Sequence, residues 1–207
     1  ILIGQNLSFS GGNAHSSMLC ASGRVYTMGR NNNGQLGNNT LVQSLSPVQV
    51  LRGAQPGVGT YLDYIRQIDA GSGAHNVALT CDGFVYAWGW NSFGQLGDNT
   101  TTDRLEPVRV LNGAQSGTGT DATYLDGVTM VSGGNENSYA LLTNGDLMSW
   151  GLNSSGQLGT GNTTASSTPV YVKINSTTNL SNVIQFDGGD DFGIALLADG
   201  TVWTWGE

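Results

Sequence analysis

Apolar residues along the chain fall in short runs bounded by Gly, Asn, Asp and Ser. Val-Tyr-Ala-Trp over 85–88, Leu-Met-Ser-Trp over 147–150 and Val-Trp-Thr-Trp over 202–205 place apolar or small side chains on both sides of an extended segment. Such a pattern predicts strands covered on both faces. Each run follows a two-residue turn signal: Ser22-Gly23, Asp82-Gly83, Asn144-Gly145 and Asp199-Gly200. Asp-Gly and Asn-Gly between apolar runs predict a hairpin with a type I′ turn, here with arms over 76–81 and 84–88. Segments opened by Pro47, Pro107 and Pro169 supply a further strand, with proline expected at its first position, where a missing N–H is harmless. A fourth strand precedes each unit's leading glycine, as in 183–186.

These elements recur. Gly-Gln-Leu-Gly stands at 34–37, 94–97 and 156–159, spaced by 60 and 62 residues. Gly11, Gly71, Gly133 and Gly188 open the units, and Leu19, Leu79, Leu141 and Leu196 follow eight residues later. An aromatic-glycine pair closes each hairpin at Trp88-Gly89, Trp150-Gly151 and Trp205-Gly206, with Met28-Gly29 in the first copy. The units run approximately over 1–60, 61–122, 123–177 and an incomplete 178–207. Four short strands per repeat, stacked face to face, describe the blade of an all-β propeller.

Composition sharpens this reading. Glycine occurs 32 times, charged residues make up only 11%, and Asn, Ser and Thr occupy 58 of 207 positions. The net charge is −8 and Lys173 is the sole lysine, so no basic cluster is available to neutralise a phosphate backbone and nucleic-acid binding is not expected. No apolar run reaches the length of a membrane helix, and no signal peptide opens the sequence; a soluble chain without membrane insertion is expected.

The pattern Gly71-x-x-x-His75-x-x-x-Leu79-x-x-x-Gly83-x-Val85-Tyr86-x-Trp88-Gly89-x-Asn91-x-x-Gly94-Gln95-Leu96-Gly97 resembles the repeat of the regulator-of-chromosome-condensation family. The resemblance spans three full units and most of a fourth. It implies a seven-bladed propeller of four-stranded blades, of which this sequence is an arc; a closed four-bladed ring is the alternative. It also implies a choice of roles: exchange factor for a small GTPase, chromatin or signalling scaffold, or, in secreted prokaryotic members, a clamp on enzymes. The acidic, low-lysine character places the chain nearest the secreted or surface prokaryotic forms.

No catalytic constellation, metal site or cofactor site is expected. His15 and His75 occupy one repeat column that fans around an axis, so they read as structural ties between a strand and a neighbouring loop. Cys20 and Cys81 lie one column out of register and read as buried free thiols. Asp187-Gly-Gly-Asp190-Asp191 reads as a solvated turn rather than a calcium loop. Gly-Gln-Leu-Gly lacks the Lys and Ser/Thr of a phosphate cradle, so Gln95 is expected to bond backbone and Leu96 to plug the space between blades. Constant Asn91 is flanked by variable residues, which makes Arg30, Trp90, Phe93 and Leu152 candidate partner-binding positions. Tyr61 and Tyr124, in the long insertions 53–62 and 113–125, form a second candidate surface. Seven glycosylation sequons begin at Asn6, Asn38, Asn99, Asn153, Asn162, Asn175 and Asn179. The expected function is a non-enzymatic interaction or assembly module, extracellular or at the cell surface, binding a protein partner or itself through rim loops. The alternatives are a GTPase exchange factor and an accessory domain of a secreted enzyme.

Overall fold

The computed structural model describes residues 7–116 and 119–207. Its strands form successive antiparallel meanders. Blade 1 consists of β1 (Ser8–Gly11), β2 (His15–Leu19), β3 (Val25–Gly29) and β4 (Ser44–Gln49). Blade 2 consists of β5 (Ile65–Asp69), β6 (His75–Thr80), β7 (Val85–Gly89) and β8 (Arg104–Arg109). Blade 3 is β9 (Val128–Gly133), β10 (Asn137–Leu142), β11 (Leu147–Gly151) and β12 (Ser166–Tyr171). A three-stranded sheet follows, β13 (Val183–Gly188), β14 (Phe192–Leu197) and β15 (Val202–Gly206). This is the expected all-β propeller arc of four-stranded blades.

The central strands of blades 2 and 3 are buried at every position, because both faces of each sheet meet a neighbouring blade. Apolar packing therefore forms three inter-blade layers. Leu19, Val25 and Val50 meet Ile68, Ala78 and Trp88 between blades 1 and 2; parallel layers join blades 2 to 3 and 3 to 4. First strands lie innermost and touch across blades. There Ser10 Oγ donates to Asp69 Oδ1 at 2.6 Å, and the Gly133 N–H donates to Asp69 Oδ2 at 3.0 Å.

Two local expectations are corrected. In the hairpins only the glycine takes a positive φ, for example Gly83 at +90°, and its N–H donates to the Thr80 carbonyl at 3.1 Å. The loop is thus a turn over 80–83 ending in a left-handed glycine, not a two-residue type I′ turn. The prolines stand inside β4, β8 and β12 rather than at their first positions. They are tolerated because these are outer edge strands, with a register shift opposite.

The meander sorts the loops by rim. Connections within a blade that carry Gly-Gln-Leu-Gly, together with those from first to second strand, share one rim. The hairpin turns and the blade-to-blade connections share the other.

Candidate functional site

Several motif residues hold the scaffold. Asn91 is fully buried; its Oδ1 accepts the Leu96 N–H at 3.0 Å, and its Nδ2 donates to the carbonyls of Thr100 and Thr102 at 3.2 and 3.0 Å. Asn31 and Asn153 repeat the arrangement. Gln95 Oε1 accepts the Phe93 N–H, while its backbone carbonyl accepts Trp150 Nε1 at 2.8 Å and Ser138 Oγ at 2.8 Å from the next blade. Gln35 receives Trp88 Nε1 and Asn76 Nδ2 in the same way. Each Gly-Gln-Leu-Gly loop is therefore a latch, with Leu36, Leu96 and Leu158 fully buried.

The histidines tie blade to blade. His15 Nε2 lies 3.2 Å from Asn76 Oδ1 and His75 Nε2 lies 3.0 Å from Ser138 Oγ, so their partners are side chains of the next blade's second strand rather than a loop. Burial pushes the His75 pKa down to about 4. The cysteines depart from expectation: both are free, but Cys20 is only half-buried and Cys81, at the hairpin turn, is exposed. In the acidic segment, Asp187 accepts Ser132 Oγ at 3.0 Å, Ser72 Oγ donates to Asp190, and Asp191 accepts Gln157 Nε2 at 3.0 Å. Asp187 and Asp191 thus link the fourth sheet to blade 3 and Asp190 links it to blade 2, and among the described residues no group of three or more His, Cys, Asp or Glu could hold a metal ion.

The candidate binding residues divide between the rims. On the Gly-Gln-Leu-Gly rim, Trp90 and Phe93 meet edge to face with centroids 5.6 Å apart, and Trp90 Nε1 donates to Ser92 Oγ at 2.7 Å. Both are half-buried; Arg30, in the Trp90 column, is exposed and Leu152 half-buried. On the opposite rim, Tyr61 is exposed and Tyr124 half-buried, each pairing by an isolated bridge with the end of the preceding blade, at Leu51 and Leu111. Among the sequons, Asn6 lies outside the described residues. Asn153 is fully buried with its amide committed, so the folded chain presents no acceptor there. Asn99, Asn162 and Asn175 are exposed, and Asn38 and Asn179 half-buried.

A group missed by the sequence reading sits beside Tyr124. The Arg109 guanidinium is sandwiched between the rings of Phe84 and Tyr124, at 4.2 and 4.0 Å from their centroids, with Asp121 at 3.8 Å. Arg109 and Phe84 border a cavity of about 310 Å³ with Tyr64, Tyr86 and Asp82. Comparison between repeats could have found it, since Arg109 stands in the column of Gln49 and Tyr171, and Phe84 in that of Arg24 and Asp146.

Comparison with known proteins agrees with this architecture. The model of the "Regulator of chromosome condensation (RCC1) repeat" matches residues 22–79, 82–141 and 144–196. Ultraviolet-B receptor UVR8 of Arabidopsis thaliana is 33% identical over 197 residues, covering 94% of this chain and 40% of the relative. Human E3 ubiquitin-protein ligase HERC2 is 30% identical over 202 residues, which cover 95% of this chain and 4% of that protein. Among solved structures, human WBSCR16 superposes with a TM-score of 0.75 at 26% identity, over 97% of this chain and 46% of its own. Prp20p of Saccharomyces cerevisiae, described with its binding to Gsp1p and histones, gives 0.72 at 22% identity over 98% and 45%, a likeness of fold. The chain thus spans less than half the length of these relatives. They come from a plant, human and yeast, and do not show the prokaryotic secreted character expected from the charge pattern.

Proposed function

Because the chain belongs to the regulator of chromosome condensation (RCC1) repeat family, we propose that it serves as a non-enzymatic protein-interaction module whose rim loops engage a partner or a second copy. One observation carries this reading. Across the repeats the latch residues Asn, Gln, Leu and Trp keep the same hydrogen bonds, while the positions between them change from Arg30 to Trp90 to Leu152. A scaffold held constant around loops free to differ is the arrangement of a recognition surface. The relatives support a binding role, since the yeast structure concerns a propeller with protein partners. An extracellular or cell-surface setting is part of the same proposal, supported by the sequons on exposed loops and by the single lysine.

The test is capture of partners by the natural protein that carries this propeller, compared with a Trp90→Ala/Phe93→Ala variant. Loss of at least about tenfold in retained partner is expected, the effect of truncating an aromatic hot spot. Unchanged capture removes the Trp90 loop from the interface. Accelerated nucleotide release from a small GTPase would replace this reading with exchange-factor activity.

A further inference from the structure

The pocket on the hairpin rim of blade 2 combines groups that the blade does not need. Tyr86 borders the cavity with its ring buried, while its hydroxyl reaches solvent there and makes no hydrogen bond among the described residues. Among the described residues the Arg109 fork has no hydrogen-bond partner: its Nε is buried and unsatisfied, and Asp121 is beyond hydrogen-bond reach at 3.8 Å. A buried donor left unmade in a native structure calls for an explanation. Arg109 Nε is such a donor, and with the solvent-reaching Tyr86 hydroxyl beside the same cavity it points to an oxygen acceptor that comes from outside. Stacking between Phe84 and Tyr124 fixes the guanidinium plane in advance, which reduces the ordering cost of binding.

The surroundings set the ligand's character. Arg52 neutralises Asp63 at 3.0 Å, leaving Asp82 as the uncompensated carboxylate at the cavity. Tyr64 stands there with 70% of its surface exposed and φ of +62°, a left-handed conformation that is unusual for an aromatic residue. Gly127 and Asn182 fill that position in the next two blades, so the ring is not required by the connection. An aromatic side chain held in a sparsely populated conformation at a cavity mouth is a signature of a working surface.

We propose that this pocket binds a carboxylate presented by a partner polypeptide. Arg109 and the Tyr86 hydroxyl donate to it, Phe84 and Tyr64 pack on the aliphatic part of the residue that carries it, and Asp82 favours a neighbouring basic residue. This rests on the interaction-module reading and assigns one recognition element to it. The carboxylate can be a chain terminus or an Asp or Glu side chain.

Three capped peptides test this against the natural protein by NMR titration: acetyl-Lys-Leu-Ala with a free terminus, acetyl-Lys-Leu-Glu-amide, and acetyl-Lys-Leu-Gln-amide. Saturable binding with Kd on the order of 1 mM is expected for one or both carboxylate peptides. Which of the two binds identifies the source. The glutamine peptide should bind at least about tenfold more weakly, the loss of one charge-assisted pair. Arg109→Gln should abolish the difference between the peptides. Tyr86→Phe, which keeps the ring, should weaken carboxylate binding about fivefold, one net hydrogen bond, and serves as the deciding variant if Arg109→Gln does not fold. Equal binding of all three peptides, no binding by any, or an unaltered preference in Tyr86→Phe overturns the proposal. Partner capture that persists in Tyr86→Phe alongside failed peptide binding would remove this site and leave the module reading standing.

Discussion

At the scale of single residues, the molecule is held by buried polar side chains that make bonds no apolar residue could replace. Asn91 satisfies one backbone N–H and two carbonyls while itself shut off from water. Asn91→Ala should therefore cost about 3 kcal/mol or more, because it strands several buried groups at once, and should lower the urea midpoint without changing the slope. His75 is the pH-sensitive counterpart. Its folded pKa of about 4 lies below the ordinary histidine value of 6.5, so between those values the unfolded chain binds more protons. Its contribution is complete above about pH 6.5 and is lost as pH falls toward 4, by up to about 3 kcal/mol. His15 is lowered in the same direction by burial. Denaturant titrations across that window should show the slope, and His75→Asn should flatten it, since Asn137 already occupies the equivalent place in blade 3.

At the scale of elements, the blade-to-blade connection repeats one backbone device. The residue before each first strand is left-handed, and its carbonyl accepts an N–H from the end of the second strand: Cys81 to Tyr64 at 2.8 Å, Thr143 to Gly127 at 2.8 Å, Ala198 to Asn182 at 2.9 Å. A β-carbon in this conformation costs about 1–2 kcal/mol, and asparagine tolerates it best among non-glycine residues. Tyr64→Asn should raise stability by about 0.5–1 kcal/mol in denaturant melts while weakening carboxylate-peptide binding. Strands, hairpins and the latch loops were legible in the sequence because each depends on near neighbours: short runs apolar on both faces, a glycine after a turn former, a proline at an outer strand. Turn type was not legible. Whether Asp82 joins Gly83 at positive φ depends on how Thr80 and Phe84 pair, which the dipeptide alone does not state.

At the scale of the whole molecule, stability resides between blades, and the described chain leaves a blade face uncovered at each end of the arc. Phe9 is 69% exposed on one, and Phe192, Val202 and Trp203 are 45%, 60% and 41% exposed on the other. These are the kinds of side chain that the inner layers bury. This chain, studied alone, should self-associate with rising concentration, seen as an increase in sedimentation coefficient, and Phe9→Ser with Trp203→Ser should shift the equilibrium toward the monomer. A single concentration-independent species would show that the faces cover themselves.

The sequence by itself determined the repeat, the strand order and the residues that latch one blade to the next, since those follow from local pattern and from columns that recur at a fixed offset. Tertiary structure alone decided which variable residues meet. Tyr64, Phe84, Arg109 and Tyr124 lie on four different segments and converge only because the strands of blade 2 pair in register and its two flanking connections fold onto the same rim as its hairpin turn. It also separated the Trp90 loop from the Tyr61 and Tyr124 insertions onto opposite rims. The reason is physical: a strand's period assigns a side chain to a face, but its neighbours across a blade interface are fixed by packing over sequence separations of tens of residues.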